Sequence, residues 1–155
     1  MDIVLEKVSN QKRDTLFRLL QFSLFEESET DQNEMNNDAI FKYDWFEHYF
    51  SDDDRFAFFI KDKISDKILG FVMINSYTQH FKSGKSIAEF MVIPKYRRQN
   101  IGSQVAKLCF DMFKGNWEVS PSFGSKRAFM FWEKVINQYT NGNYKTIDGL
   151  FVFRN

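Results

Sequence analysis

Stretches of hydrophobic residues along this chain alternate with polar turns, and the apolar positions follow two different spacings. Short, strongly apolar runs bounded by polar turns predict strands, whereas apolar residues three and four positions apart predict one face of a helix. The predicted strands span residues 3–8, 55–60, 67–76, 86–93 and 115–120, followed by a hairpin within 141–155. The predicted helices span residues 11–25, 43–50, 103–113 and 125–139.

The order of these elements, β-α-α-β-β-β-α-β-α-β-β, predicts a single mixed α/β (α+β) domain over residues 1–155, without repeats or linkers. A polar turn over 61–67 makes the second and third strands an antiparallel hairpin, and Asp148-Gly149 is the expected turn of the last hairpin. The fourth strand, the loop and helix after it, and the next strand form a βαβ unit. This unit predicts one parallel strand pair.

The composition is typical of a folded protein from a reducing compartment. The chain contains 19 Phe, 6 Tyr and 3 Trp, which indicates a large aromatic core. Its single cysteine, Cys109, excludes an internal disulfide, and we expect it to be buried because its neighbours in a predicted helix are apolar. No apolar run reaches the ~18 residues of a membrane span, and the N-terminus does not resemble a signal peptide. We therefore expect a cytoplasmic protein without membrane contact.

The charges cancel over the whole chain but are unevenly distributed. Between Glu26 and Asp54 there are eleven Asp or Glu residues and one Lys, and the rest of the chain is correspondingly basic. This asymmetry fits a surface for a cationic partner, and equally a solvated acidic loop over residues 26–38. The zero net charge and the acidic segment argue against a nucleic-acid partner. The two His residues and the one Cys lack ligand spacing, so no metal site is expected.

The loop "IPKYRRQNIGS", residues 93–103, lies between a predicted strand and a predicted helix. A helix N-terminus offers free N–H groups to an anion, and Gly102 would allow a close approach of the backbone to a ligand. Asn100 tolerates a positive φ, which converging N–H groups often require. Arg97 and Arg98 add permanent charge and bidentate donors. The loop therefore predicts a pyrophosphate site, with an ordinary exposed loop and helix cap as the alternative.

The segment "VIPKYRRQNIGSQVA" resembles the acyl-CoA-binding motif of the GCN5-related N-acetyltransferases, the GNAT superfamily. The matching positions are Val92, Pro94, Tyr96, Arg97, Asn100 and Gly102. The later segment "AFMFWEK" resembles the family's A-x-x-F-Y-x-K, and the element order agrees over nearly the whole chain. The sequence is most similar to a small bacterial group of predicted acetyltransferases.

The resemblance implies a GNAT-like acyl-CoA N-acyltransferase fold with acetyl-CoA as co-substrate. The implied reaction is direct attack of a primary amine, from a cationic small molecule or peptide, on the thioester. Backbone N–H groups between Met91 and Ile93 would stabilise the oxyanion where the strand leaves its neighbour. The implied cofactor-binding residues are Met91, Val92, Ile93, Arg97, Arg98, Gln99, Asn100, Ile101, Gly102, Ser103 and Phe131.

The chain departs from the family pattern at two positions. Asn100 replaces the usual first glycine of the loop, and it can adopt the same backbone shape at some cost. Trp132 stands where many members have a tyrosine that protonates the leaving thiolate, and an indole cannot act as an acid here. A non-catalytic acyl-CoA-binding sensor with the same fold therefore remains the alternative to an enzyme.

Glu89 is the candidate general base because it is the only charged residue in the apolar strand "SIAEFMVI". A lone carboxylate on such a strand should have a raised pKa, although a surface Glu in an ion pair would have the same pattern. Tyr139 is the candidate general acid, with Tyr144 behind it, since both follow the last helix. Each could instead be a half-buried aromatic with a satisfied hydroxyl group. No role is assigned to His48 or His80.

Two expectations concern the partners of the protein. By family resemblance, the region after the first strand forms much of the acceptor wall, and its carboxylates would suit a cationic amine. A homodimer is also left open, because the apolar C-terminal strand "GLFVF" could pair with that of a second copy.

Overall fold

The computed structural model describes residues 1–155 as seven strands and four α-helices. In chain order these are β1 (Ile3–Lys7), α1 (Arg13–Asp31), α2 (His48–Ser51), β2 (Arg55–Asp62), β3 (Ile68–Asn75), β4 (Lys85–Val92), α3 (Ile101–Met112), β5 (Asn116–Val119), α4 (Lys126–Thr140), β6 (Lys145–Ile147) and β7 (Leu150–Arg154). Short 3₁₀ turns precede α1 and follow β4. The predicted element order is confirmed.

All strands lie in one mixed sheet with the order β1-β2-β3-β4-β5-β7-β6. Neighbouring strands are antiparallel except β4 and β5, which form the predicted parallel pair. The turn between β6 and β7 has φ values of 50° at Asp148 and 77° at Gly149. Two successive positive φ angles are typical of a tight two-residue hairpin, which confirms the predicted turn.

The first helix is longer than its apolar pattern predicted. It continues past Phe25 to Asp31, and Gln32 ends it in the left-handed conformation with a φ of 61°. Glu26 and Glu27 therefore lie on a helix rather than in a loop. Glutamate favours helices without contributing to an apolar stripe, so the pattern alone placed the end too early.

The second predicted helix is mostly irregular. Residues 44–47 form turns, and only the four residues of α2 are helical. The aromatic spacing over residues 43–50 indicated burial correctly, since Phe46 and Tyr49 are buried against the sheet. It did not determine the backbone conformation, because several short turns can bury the same side chains.

The sheet separates two hydrophobic layers. One face packs against α3 and α4 through a cluster that includes Phe110, Trp117 and Ile136, and Cys109 is buried there as expected. The other face packs against α1 through a cluster that includes Leu16 and Leu20. Burying a side chain of this size contributes about 1.5–3 kcal/mol, so the two layers dominate the stability of the fold. No helix combines the length and the apolar character that crossing a membrane requires.

Within the chain, the C-terminal strand has no free edge that could pair with a second copy. Strand β7 lies inside the sheet, between β5 and β6, and both of its edges are hydrogen-bonded. Residues 150–153 are buried in the core. The apolar run reflects burial on both faces, which is typical of an interior strand rather than of an interface.

Candidate active site

Strands β4 and β5 form a fork that opens a groove in the middle of the sheet. They pair only at Lys85 with Trp117 and at Ser86 with Glu118, and beyond these residues the strands diverge. One extra residue of β4, Ala88, interrupts the register with β3 and marks a bulge, which bends a strand. The groove between the diverging strands has a volume of about 1240 Å³ and is bounded by β4, α1, α4 and the loop before α3.

The backbone N–H of Val92, in β4, faces the fork at the position where an oxyanion donor was expected. The Ile93 N–H donates to the Leu69 carbonyl of β3 at 2.8 Å, so it is not free. Backbone N–H groups alternate between the two edges of a strand. The Met91 N–H therefore also points to β3, while the Val92 N–H points to the fork. Of Met91, Val92 and Ile93, only Val92 therefore presents a free donor to the groove.

The loop before α3 carries a series of free N–H groups. The backbone N–H groups of residues 98–103 have no acceptor within the protein. Arg98 and Asn100 both adopt the left-handed conformation, with φ values of 63° and 61°. The positive φ expected at Asn100 is confirmed. Nothing in the sequence indicated it at Arg98, because arginine does not favour this region.

The glycine of the loop makes room for an aromatic ring. A Cβ atom on Gly102 would lie 3.0 Å from the ring of Phe131, so glycine allows α4 to pack closely on the first turn of α3. Phe131 in turn packs on Phe90 and Trp132, and these three aromatic side chains line the groove. The close approach expected at Gly102 thus occurs, but its partner in this structure is Phe131.

The two arginines of the loop differ. The Arg97 Nε–H donates to the Val92 carbonyl at 2.7 Å, and its terminal nitrogens donate to both carboxylate oxygens of Glu26 at 2.8 and 3.2 Å. Its backbone N–H donates to the Pro94 carbonyl. Arg97 therefore contacts protein groups on α1 and β4, and its phosphate contact stays a prediction. Arg98 is exposed and has no ion-pair partner.

Basic side chains line the groove on the side of α4. Arg127 and Lys134 are seven residues apart on this helix, so they share a face with Phe131 between them. Sequence reasoning did not select either residue, because only the fold brings this helix face beside the loop. Together with Arg98 they make this side of the groove cationic.

Glu89 lies in the groove and has no cationic partner. Burial, and secondarily the nearby Glu27 carboxyl, raise the pKa of Glu89 to about 8, while the Tyr43 hydroxyl acts in the opposite direction. Burial and Asp31 likewise raise the pKa of Glu27, to about 6. The expected rise in the pKa of Glu89 is present, and the alternative of a surface ion pair is not observed.

The structure does not bring Tyr139 to the groove. Its hydroxyl donates to Asp111 at 2.8 Å and accepts a hydrogen bond from Asn155 at 2.9 Å, beside a separate small cavity at the end of the chain. Tyr139 follows Trp132 by seven residues, about 10 Å further along the helix. The prediction of Tyr139 as the general acid is therefore wrong, and Tyr144, which packs on Phe151, also lies outside the groove.

Trp132 occupies the position where a family tyrosine was expected. It is buried and lines the groove, with ring centroids 4.9 Å from both Phe90 and Phe131. Tyr96, in the turn after β4, lines the groove, and the Tyr43 hydroxyl contacts Glu89, but neither stands at the position of Trp132.

Neither histidine lines the groove. His48 contacts Asp52 through Nδ1 at 2.9 Å, and the ring of His80 packs on Phe81. No group of three or more His, Cys, Asp or Glu side chains is arranged to hold a metal ion.

A second carboxylate, Glu118, closes the other end of the fork. It is 2% exposed and accepts hydrogen bonds from the backbone N–H groups of Gln79, His80 and Phe81, with N···O distances from 2.7 to 3.2 Å. The sequence pattern gave no role to Glu118. A lone Glu in a short apolar strand was a signal of burial, but its partners come from a distant loop.

Comparisons with known proteins identify the family of the chain. The sequence profile of the acetyltransferase (GNAT) family matches residues 15–134. No curated protein matches the chain significantly.

Solved acetyltransferase structures share the fold at low sequence identity. A Thermus thermophilus acetyltransferase is 12% identical with a TM-score of 0.68, covering 100% of this chain and 98% of its own. A Vibrio fischeri acetyltransferase is 16% identical with a TM-score of 0.51, covering 75% and 93%. An aminoglycoside acetyltransferase from an uncultured soil metagenomic sample, solved with sisomicin, is 16% identical with a TM-score of 0.56, covering 88% and 86%.

Proposed function

The chain belongs to the GNAT acetyltransferase family, and on that premise we propose that it transfers an acetyl group from acetyl-CoA to a primary amine of a cationic small molecule or peptide. One observation carries this proposal. Val92, Arg98 and residues 100–103, whose backbone N–H groups are free, line the same groove as Glu89, which has no cationic partner. Anion-binding donors, an oxyanion donor and a base are the three parts that the reaction requires.

The cationic side of the groove would hold the co-substrate. The N–H groups of residues 98–103 and the positive end of the α3 dipole suit a pyrophosphate group. Arg98, Arg127 and Lys134 supply permanent positive charge beside them. Phe131 and Phe90 offer an apolar surface along the groove. Bound acetyl-CoA supplies the thioester carbonyl, and the protein supplies position and charge.

The Val92 N–H would stabilise the oxyanion that forms at the thioester carbonyl. A donor fixed in place before the reaction needs no reorganisation as charge develops. Removing one such donor typically costs about 10²–10³ in rate, so it is a major contributor to catalysis. The donor belongs to a strand that β3 holds along its other edge, which keeps its direction constant.

Glu89 would remove a proton from the attacking amine. With a pKa of about 8, its carboxylate is a stronger base than an exposed glutamate, and it shares the groove with the free Val92 N–H. A bound cationic acceptor would favour the ionised form of Glu89 and lower this pKa. Thiols are acidic enough, with a pKa of about 8.5 for cysteine, that the thiolate of CoA can leave and take a proton from solvent.

The acidic side of the groove favours a cationic acceptor. Glu27 and Glu89 interact with each other and with Asp31, and none of the three has a cationic partner in the protein. Ammonium groups of a substrate would supply the missing counter-charge. The structurally similar aminoglycoside acetyltransferase was solved with sisomicin, which is consistent with a groove of this kind accepting a basic molecule.

The experiment that tests the proposal measures binding and then turnover. The melting temperature is recorded with and without acetyl-CoA at about 100 times its Kd, where we expect stabilisation by about 2.7 kcal/mol. Thiol release is then followed with a panel of cationic, neutral and acidic amines, using the wild type and Glu89→Gln. We expect turnover with cationic amines only, and its loss in Glu89→Gln. Absence of any acetyl-CoA effect would contradict the proposal, and a preference for neutral or acidic amines would contradict the cationic acceptor.

Trp132 favours one alternative, a non-catalytic acyl-CoA sensor. With this side chain the groove offers no tyrosine at the expected position to protonate a thiolate. A sensor would bind acetyl-CoA and be stabilised by it, but would release no thiol with any amine. The two experiments above therefore separate the sensor from the enzyme.

A further inference from the structure

A continuous chain of hydrogen bonds connects α1 to the open end of β4. Glu26, near the C-terminal end of α1, accepts two hydrogen bonds from the terminal nitrogens of Arg97, at 2.8 and 3.2 Å. The Nε–H of the same arginine donates to the Val92 carbonyl at 2.7 Å. The contact between α1 and the loop after β4 is thus a fork-to-fork ion pair, the most directional form of carboxylate recognition.

The Val92 peptide needs this support because of its position in the fork. In an antiparallel pair, the N–H and C=O groups of one residue point to the same side. The Val92 carbonyl and the Val92 N–H therefore both face the fork, where β5 has already diverged and offers no partner. Arg97 donates a hydrogen bond to the Val92 carbonyl and leaves the Val92 N–H free. It thus supplies the hydrogen bond that a neighbouring strand would otherwise make to this carbonyl.

We propose that Glu26 is a positioning residue, which through Arg97 fixes the direction of the Val92 N–H towards the thioester carbonyl. This inference rests on the proposed function, because it concerns the oxyanion donor of that reaction. It also reassigns Arg97. The arginine of the loop holds β4 and α1 together, and the positive charge for the phosphates comes from Arg98 and α4.

Glu29 provides a matched control for Glu26. It lies three residues further along α1, lines the same groove and forms no ion pair. Glu29→Gln removes the same charge at nearly the same place but leaves Arg97 and its contacts unchanged. Any effect of Glu26→Gln that comes only from the potential in the groove should therefore also occur in Glu29→Gln.

The test measures how the protein polarises the bound thioester. Acetyl-CoA labelled with carbon-13 at the carbonyl is bound at saturation, and its C=O stretch is recorded by infrared difference spectroscopy. Kd for acetyl-CoA is measured by calorimetry on the same samples. In the wild type we expect the stretch to shift to lower frequency on binding. In Glu26→Gln and Arg97→Lys we expect most of this shift to be lost, while Kd changes by less than about threefold. Slow hydrolysis of the thioester should fall roughly tenfold or more, as expected for a misplaced donor.

Each possible result decides a different point. A full shift in both variants would overturn the positioning role. A Kd weakened by more than about tenfold in Arg97→Lys would show that Arg97 binds phosphate, and would also overturn it. An equal loss of the infrared shift in Glu29→Gln would show that the effect comes only from the charge in the groove, and would overturn the positioning role. A wild type that binds acetyl-CoA without a shift would refute the Val92 donor, whereas no binding at all would refute the proposed function itself.

Discussion

The two ends of the β4–β5 fork each carry a carboxylate, buried at Glu118 and half-buried at Glu89, and the two are held in opposite ways. At the closed end, Glu118 accepts backbone N–H groups from three successive residues of the loop before β4. At the open end, Glu89 has no such donors and no cation, and its pKa is raised. Each of the two residues is the only charged residue in a short apolar run of its own. Their neighbours in space, rather than their sequence settings, separate a structural carboxylate from one that is available for chemistry.

The contrast has a simple energetic origin. A buried charge is tolerated when hydrogen bonds replace its lost hydration, as at Glu118. Where they do not, the group favours its protonated form and its pKa rises, as at Glu89. A general base needs an incompletely satisfied carboxylate, because a fully hydrogen-bonded one is a weak base. The fork provides both conditions on adjacent strands: a satisfied carboxylate at Glu118 on β5 and an incompletely satisfied one at Glu89 on β4.

Replacing Glu89 by Gln should produce the largest effect and test the open end directly. Thiol release with the best amine should fall by about 10²–10⁴-fold, the usual range for loss of a general base. The melting temperature should stay equal or rise, because folding at pH 7 no longer requires an ionised carboxylate to take up a proton. Steady-state kinetics and thermal unfolding at pH 7 measure the two quantities. Unchanged turnover would mean that the two carboxylates do not differ in function as the comparison implies.

Replacing Glu118 by Gln should produce the opposite result at the closed end. An amide offers one acceptor oxygen and turns an N–H donor towards the loop, so we expect a loss of about 2–4 kcal/mol in unfolding free energy. For this chain length the melting temperature should fall by roughly 5–15 °C. Glu133→Gln, at an exposed position on α4, is the control for loss of charge. A change below about 1 °C would show that the loop does not depend on Glu118.

The pH dependence of stability should also separate the two ends. The pKa of Glu89 is about 8 in the folded protein and near the ordinary 4.5 when unfolded, so the folded state holds the proton more tightly. The contribution of Glu89 to the free energy of unfolding is most favourable below the pKa that Glu89 has in the unfolded chain, and it is lost as the pH rises towards 8. Relative to Glu89→Gln, the wild type should therefore lose up to about 1.4 kcal/mol of stability per pH unit between roughly pH 5 and 8.

Denaturant unfolding of both proteins across this pH range measures the difference. Glu27 titrates in the same groove with a pKa of about 6, so the comparison is repeated in a Glu27→Gln background. Parallel curves for wild type and Glu89→Gln in both backgrounds would exclude a raised pKa at Glu89.

The closed end of the fork was far less accessible to sequence reasoning than the open end. Strand and helix order followed from apolar spacing, and Glu89 and Asn100 stood out because each is unusual in its immediate surroundings. Glu118 was equally unusual, but its partners lie almost forty positions away, and no local pattern indicates which loop supplies them. The contact between Arg97 and Glu26 joins positions even further apart, so no local pattern indicated it.

Tyr139 was assigned wrongly for a related reason. Its place after the last helix was compatible with the groove, and only the direction of α4 shows that it lies a further two turns away. The end of α1 was misplaced because surface glutamates give no apolar signal. Local conformation and burial were therefore predictable, whereas contacts between distant segments required the fold.

The smallest expected effect concerns the backbone that presents N–H groups at each end. The donors to Glu118 come from residues without a positive φ, whereas the free donors of the loop before α3 depend on Arg98 and Asn100 in the left-handed region. Glycine adopts this region without steric cost, while alanine does not. Asn100→Gly should therefore change unfolding free energy by less than about 0.5 kcal/mol, and Asn100→Ala should lower it by about 1 kcal/mol. Acetyl-CoA Kd, measured by calorimetry, should be retained in Asn100→Gly and weakened several-fold in Asn100→Ala, because only the first keeps the donors convergent. Equal Kd values in the two variants would mean that this open end, like the closed one, needs no left-handed residue to gather its donors.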